Sequence, residues 1–369
     1  MIIATIPFAL RGVPAMVLYF IGIVDAFSLV AAIVQGASQT QRTGSSRATI
    51  ANGIGWTIFV IVMFIYYISY DIRLGIPNEI LPLVSAIVVA LAAIFSRAPA
   101  PLAARDWTPA TIALACLIAP LALVIGWREP GISAGKGFPV RVMTYNIHNG
   151  FNTDGRLDLE AIARVIEEQK PDVIGLQEIA RGWAIDSSVD TLTWLSQRLQ
   201  MPYIFGPTAD PVWGNAILSK YPIKEWSNEK LPPHDLLLKR GFLWARLDVG
   251  GGDELFLIAS HYYHVDDGTA IRQQQSPVIA QFWNKRARTI FLGDLNAEPN
   301  SKEMAMLRDA GLKDAFAEIG AGDGFTWPAD KPRQRLDYIW FSPDLKLSGL
   351  TIPRTTASDH LGIVVVVGK

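Results

Sequence analysis

Charge is spread so unevenly along this 369-residue chain that it divides the chain in two. Only 13 of the 67 charged side chains, eight basic and five acidic, fall in residues 1–140. The other 54 fall in residues 141–369. A stretch so poor in charge cannot cover a water-facing surface, whereas the remainder has the make-up of an ordinary globular protein. A uniformly soluble chain, a disordered chain and a disulfide scaffold are thereby excluded. The single cysteine, Cys116, has no partner within the chain and leaves the redox compartment open.

The charge-poor part contains four apolar segments, at residues 13–34, 51–70, 80–95 and 110–127. Crossing a hydrocarbon layer of roughly 30 Å takes about 20 helical residues, which the first, second and fourth supply. The third is shorter and contains Pro82, so it either extends back to Ile76 or lies tilted or re-entrant. Trp107 and Trp127 bracket the fourth as interfacial anchors would. Residues 1–128 therefore read as an all-α transmembrane bundle, and residues 129–139, rich in Gly and Pro, as a linker. Arg42, Arg47, Arg97 and Arg105 on one side outnumber Arg11, Arg73 and Arg128 on the other. Positive residues favour the cytoplasm, so four crossings place residues 140–369 on the extracytoplasmic side; three would reverse this. Asp25 falls mid-segment, where an ionisable group costs at least about 2.5 kcal/mol. A headgroup or helix-partner site and a shallow, wet position are both open to it.

Residues 141–369 carry 25 basic and 29 acidic side chains, a net of −4. Binding a long polyanion is driven by clustered cations, which argues against nucleic acid but not against a small phosphate ester. Short apolar runs suited to buried strands occur at residues 140–147, 172–176, 216–219, 242–249, 255–260, 289–292, 336–341 and 363–367. Helical periodicity covers residues 157–169, 189–199 and 270–283, the last with Pro277 as an expected kink or break. The pattern predicts an α/β (α+β) four-layer sandwich, in which two packed β-sheets are flanked by helices.

Chemistry-bearing residues punctuate the strand ends. Asn146 closes the first run, Glu178 follows the second, His261 follows Leu257-Ile258-Ala259-Ser260, and Asp294 and Asn296 follow Ile290-Phe291-Leu292-Gly293. Asp337 sits within Leu336-Asp337-Tyr338, and Asp359-His360 precedes the last run. Singly, an Asp or Asn after a strand is a common turn former. An Asp flanked by apolar residues needs a partner once buried. The repeated pattern places the set on one rim.

These residues resemble the endonuclease/exonuclease/phosphatase superfamily. The resemblance runs in order through Met143-Thr-Tyr-Asn146, Gln177-Glu178, Gly214-Asn215-Ala-Ile-Leu-Ser219, Ser260-His261, Gly293-Asp294-Leu-Asn296, Arg335-Leu-Asp337-Tyr and Ser358-Asp359-His360. Gly182-Trp183 and Gly206-Pro-Thr-Ala-Asp210, behind a membrane bundle, are most similar to the C-terminal domain of GPI-anchor lipid-remodelling proteins and their bacterial relatives.

The resemblance implies that Glu178 is the main ligand of Mg²⁺, for which Mn²⁺ could substitute, with Asn146 and Asp359 near the ion directly or through water. It implies that His360, oriented by Asp337, is the general base, and that Asp294 and Asn296 orient the attacking water. His261 would stabilise a phosphoryl oxygen or assist the leaving group. Asn215 is either a phosphate contact or a turn residue, and His148 either a ligand or a surface residue. The function so implied is a membrane-anchored, Mg²⁺-dependent phosphodiesterase or phosphatase acting on a lipid with a phosphorylated headgroup. A tethered nuclease and a non-catalytic lipid-binding subunit are the alternatives.

Overall fold

The structure is a computed structural model that describes residues 128–183 and 188–369, with residues 53–54, 57–58 and 60–65, all helical, from the N-terminal region. The four predicted membrane segments and Asp25 lie outside the described residues, apart from those helical positions in the second segment. Among the described residues no helix is long and apolar enough to cross a membrane. The chain divides into two compact units, Met1–Arg128 and Glu129–Lys369. The second unit carries the elements that follow.

Two six-stranded sheets form its centre. The first has the order β11-β12-β1-β2-β4-β3, built from Lys346–Thr351 (β11), Ile363–Gly368 (β12), Val140–Asn146 (β1), Val173–Ala180 (β2), Trp213–Ser219 (β4) and Tyr203–Asp210 (β3). The second has the order β5-β6-β7-β8-β10-β9, built from Ile223–Lys230 (β5), Gly241–Gly250 (β6), Asp253–His261 (β7), Thr289–Asp294 (β8), Asp337–Phe341 (β10) and Lys313–Asp314 (β9). Each sheet holds one parallel pair, β1 with β2 and β7 with β8, among antiparallel neighbours.

Inward-facing Val142, Val173, Ile217 and Val365 of the first sheet pack against Leu243, Leu257, Leu292 and Ile339 of the second in one buried cluster. The sheets approach closely beneath the site. A Cβ on Gly175 would lie 2.1 Å from Leu292 Cδ1, so a larger residue there would force the leucine to shift.

Helices cover the outer faces. Leu159–Gln169 (α1) begins at Asp158, whose carboxylate accepts from the amide of Ala161 and satisfies one orphan donor of the first turn. Thr191–Leu199 (α2) begins the same way at Asp190. Their Ile162, Ile166, Leu192 and Leu195 bury against Met143, Ile174 and Leu218 on the back of the first sheet. Thr269–Trp283 (α3) and Lys302–Ala310 (α4) place Ile279, Trp283, Met304 and Leu307 against Phe256, Phe291 and Trp340 on the back of the second. A short helix, Ala315–Ile319 (α5), follows β9.

The result is the predicted stack of helix, sheet, sheet and helix. The break expected at Pro277 does not occur, because α3 runs unbroken through it. Burial of Arg272, Gln275, Ser276 and Ile279 on either side outweighs the one backbone hydrogen bond that proline forfeits.

Candidate active site

The topology explains how residues distant in sequence meet. Strands β1, β2, β7 and β8 end at one rim, bringing Asn146, Glu178, His261 and Asp294 there. Strand β10 runs antiparallel to β8, so its first residue, Asp337, registers directly with Asp294. Strand β12 runs antiparallel to β1, so Asp359 and His360, just before it, arrive at the same edge. The first sheet brings Asn146, Glu178, Asp359 and His360, and the second brings His261, Asp294 and Asp337.

Hydrogen bonds tie the two groups together. Asn146 Nδ2 donates to Glu178 Oε1 at 3.2 Å in its own sheet and to Asp294 Oδ2 at 2.9 Å in the other. The backbone N–H of His148 donates to Asn146 Oδ1 at 3.0 Å, which fixes the amide orientation. The amide nitrogen of Asn146 thereby bridges two carboxylates from different sheets. Glu178 reaches the rim through a β-bulge, where the register of β2 with β4 shifts between Leu176 and Ile179. Its φ of 55° is a left-handed conformation that costs a non-glycine residue energy and turns its side chain into the cleft. Gly293, one residue before Asp294, has φ 147°, and a Cβ there would lie 1.9 Å from the carbonyl oxygen of Ser260.

His360 and Asp337 form the tightest pair, with Nδ1 2.8 Å from Oδ2 and both residues buried. The other imidazole nitrogen of His360 faces Asp294 Oδ2 at 3.6 Å. Burial opposes charge on His360, but Asp337 and then Asp294 outweigh it and hold the imidazolium up at about 10. Burial pushes Asp294 up to about 7, helped by Asp337 and Glu178 and opposed by His360 and the Asn146 amide. The two groups titrate as a unit. His261 is buried with Nε2 3.5 Å from Asp294 Oδ2, and burial and then Arg240 drive it well below the usual histidine range.

Glu178, His261, Asp294 and His360 line a cleft of about 650 Å³ together with His264, Asp266, Glu298, Glu303, Trp327 and others, while Asn146 and Asp337 are fully buried and hold their partners from outside its lining. Asp359 lies at its mouth, with Oδ1 3.7 Å from Nδ1 of the half-exposed His148. Asn296 lines the cleft, its backbone N–H donating to Asp294 Oδ1 at 3.0 Å and its side chain to the Tyr262 carbonyl at 3.3 Å.

Asn146 and Asp337 touch lining residues through hydrogen bonds, whereas Asn215 makes no such contact with the cleft residues. It is neither a turn residue nor a cleft contact, but sits within β4 and donates across the sandwich to the Gly241 carbonyl at 3.2 Å. Sequence reasoning missed Arg240 and His264. A lone arginine before a strand gives no local signal. His261-Tyr-Tyr-His264 carries a weak one in the spacing of two histidines.

The donor chemistry suits a hard divalent cation. Glu178 and Asp359 both line the cleft, and neither has a Lys or Arg partner among the described residues. Carboxylate oxygens of this kind, beside space for water and phosphate, are what Mg²⁺ takes. Asp294, Asp337 and His360 also offer ligand atoms within 4.8 Å of one another. The short His360–Asp337 bond already joins two of those three.

The sequence model of the endonuclease/exonuclease/phosphatase family matches residues 143–360, the whole span from the first strand to His360. The chain belongs to this family. Its members are hydrolases of phosphoric esters, phosphatase or nuclease in type. Among relatives, the uncharacterized protein YbhP of Escherichia coli strain K12 is 25% identical over 244 residues, which are 60% of this chain and 94% of YbhP.

Solved structures share the fold. The endonuclease/exonuclease/phosphatase of Beutenbergia cavernae gives a TM-score of 0.53 at 22% identity, covering 62% of this chain and 71% of that one. The mannosyl-6-phosphatase Bt3783 of Bacteroides thetaiotaomicron gives 0.53 at 18% identity, with 62% and 100% covered. The human Nocturnin catalytic domain gives 0.52 at 21% identity, with 62% and 94% covered.

Proposed function

We propose that this family member is a membrane-anchored, Mg²⁺-dependent phosphodiesterase or phosphatase whose substrate is a lipid with a phosphorylated headgroup, in lipid or GPI-anchor-type remodelling. The observation that carries the hydrolytic reading is the buried triangle of His360, Asp337 and Asp294, set beside Glu178 and His261 at the floor of one cleft. The apolar N-terminal segments support anchoring. The net charge of −4 on residues 141–369 and the acidic Asp266 and Glu298 in the cleft wall favour a small headgroup over a polynucleotide.

Glu178, with Asp359, would hold the ion, which supplies charge neutralisation at the phosphoryl oxygens. A water touching both Asp294 Oδ2 and His360 Nε2, 3.6 Å apart, would be aimed by two fixed groups. The resemblance assigns the base to His360. In our reading Asp337 and Asp294 keep the resting proton on His360, so the water's proton passes to Asp294, whose affinity for a proton is raised by burial. His360, as imidazolium, then faces the phosphoryl group with its positive charge, and Asp337 keeps its ring in place. Asn296 holds Asp294 Oδ1 through its backbone N–H.

The test uses the full-length protein in vesicles of phosphatidylinositol, phosphatidylglycerol, phosphatidylethanolamine and sphingomyelin, with Mg²⁺, and reads released headgroups by mass spectrometry. Release that is abolished by Glu178→Ala and His360→Ala supports the proposal. Failure to turn over any of these lipids, or nicking of plasmid DNA that outpaces lipid hydrolysis, contradicts it. Protease digestion of intact cells tests the sidedness: residues 140–369 cleaved from outside support the extracytoplasmic placement.

A further inference from the structure

Behind the cleft lies a buried cation that the chemistry above does not use. Arg240 is enclosed. Its guanidinium donates from one terminal nitrogen to His261 Nδ1 at 3.0 Å and from the other to His264 Nδ1 at 3.1 Å. Its Cζ lies 5.5 Å from the ring centroid of Trp213, whose own N–H donates to Asn149 Oδ1 at 2.8 Å. Two imidazoles and an indole thus fix the position and plane of the fork.

A guanidinium has only donors and does not lose its proton in proteins. A nitrogen 3.0 Å from it must therefore be an acceptor, so His261 Nδ1 carries no proton. A doubly protonated His261 would set donor against donor. The remaining possibility is the neutral tautomer with its proton on Nε2. That atom is buried, has no hydrogen-bond partner of its own, and lies 3.5 Å from Asp294 Oδ2 and 4.0 Å from Glu178 Oε1. An unspent N–H donor is thereby aimed at the place where a phosphoryl oxygen would sit between the two carboxylates.

We infer that Arg240 is a positioning residue that locks His261 as the neutral Nε2–H tautomer, so that His261 is a fixed hydrogen-bond donor to the phosphoryl group and not a proton-transferring acid. This deepens the proposed hydrolytic reading and rests on it for the identity of the acceptor. The tautomer itself follows from the arginine contact alone. It also decides between the two roles open to His261, because a neutral imidazole held by a cation is a poor proton source for a leaving group but a good preorganised donor.

The experiment has one arm that needs no turnover. Full-length protein labelled with ¹⁵N at its five histidines is read in detergent by long-range ¹H–¹⁵N correlation, with His261→Gln used to assign the His261 signals. The expected pattern is an unprotonated Nδ1 and a protonated Nε2 from pH 6 to pH 8. A protonated Nδ1 in the wild-type protein overturns the inference and leaves the hydrolase reading intact.

The second arm is a double-mutant cycle with bis(p-nitrophenyl) phosphate and Mg²⁺. Arg240→Met lowers kcat roughly 10- to 100-fold, with KM changed less than about threefold, the loss expected when one buried donor is misdirected. In the His261→Gln background, where the amide donor has no tautomer to lose, Arg240→Met costs no more than about threefold. If its full loss persists there, Arg240 acts on the substrate or the ion directly and the inference falls. Should Arg240→Met fail to fold, the wild-type tautomer decides alone.

Discussion

Replacing Asp337 with Asn tests the pair on which the proton chemistry depends. Asparagine keeps the shape, and its carbonyl can still accept from His360 Nδ1, so what is removed is the charge across a 2.8 Å buried contact. A charge-assisted hydrogen bond contributes about 1.5–3 kcal/mol against about 1 for a neutral one, so Asp337→Asn should destabilise the fold by about 0.5–2 kcal/mol. For a unit of this size that lowers Tm by about 1–8 °C.

The pH dependence gives the deciding detail. Asp337 is the strongest of the charges that raise His360 from its ordinary 6.5 to about 10, against the opposing effect of burial. A histidine whose folded pKa is raised stabilises the fold in full below its unfolded pKa and loses that contribution as pH climbs through the folded one. The wild-type advantage in Tm should therefore be largest at or below pH 6.5 and fade towards pH 10. With the imidazolium no longer held in place, kcat at pH 7 should fall roughly 10- to 100-fold. Differential scanning calorimetry from pH 6 to pH 10, with initial rates on bis(p-nitrophenyl) phosphate, reads both. A variant with unchanged kcat, or a Tm deficit that grows with pH, would refute the reasoning.

Glu178→Gln should reduce Mg²⁺-dependent kcat/KM by roughly 100-fold or more. Isothermal titration should show Mg²⁺ affinity falling with it, and unchanged Mg²⁺ binding would contradict the account. Wild-type kcat/KM should follow a bell in pH, lost on the acid side as the Asp294–His360 pair takes up a further proton and on the basic side as the pair gives one up; a flat profile from pH 5 to pH 10 would count against it. Gly293→Ala should cost about 2–4 kcal/mol, because its φ and the nearby Ser260 carbonyl leave a side chain no room, and urea unfolding measures this. Asp314→Ala, which strips a bidentate partner at 3.1 and 2.7 Å from buried Arg335, should cost about 3–5 kcal/mol with kcat preserved where the protein is folded.

The interior strands were legible in the sequence because both their faces are covered. Ile363–Gly368, with Thr289–Asp294 in the other sheet, reads as a nearly continuous apolar stretch. The strands that escaped notice are the four sheet edges: β3, β5, β9 and β11. β5 is Ile-Lys-Glu-Trp-Ser-Asn-Glu-Lys, with most positions open to solvent, and β3 carries Pro207, which an edge tolerates and a central strand does not. Their pairing comes from the neighbouring strand and leaves little trace in local hydrophobic pattern.

The rim residues could be read from the sequence because strand ends are marked by a change from apolar to polar. Which of them face one another could not, since the Asp337–Asp294 register and the bulge at Glu178 are properties of pairing. Arg240 was invisible for the same reason. Only the folded chain shows that its two neighbours are histidines 21 and 24 residues further on.

The central claim is that carboxylates and imidazoles from both sheets act together on a phosphoric ester with a divalent cation. The most direct measurement is the rate of bis(p-nitrophenyl) phosphate hydrolysis by the full-length protein in Mg²⁺ and in EDTA, beside Glu178→Gln and His360→Ala. The account predicts turnover in Mg²⁺ that disappears in EDTA and in both variants. Turnover that survives chelation, or that either variant retains in full, would contradict it.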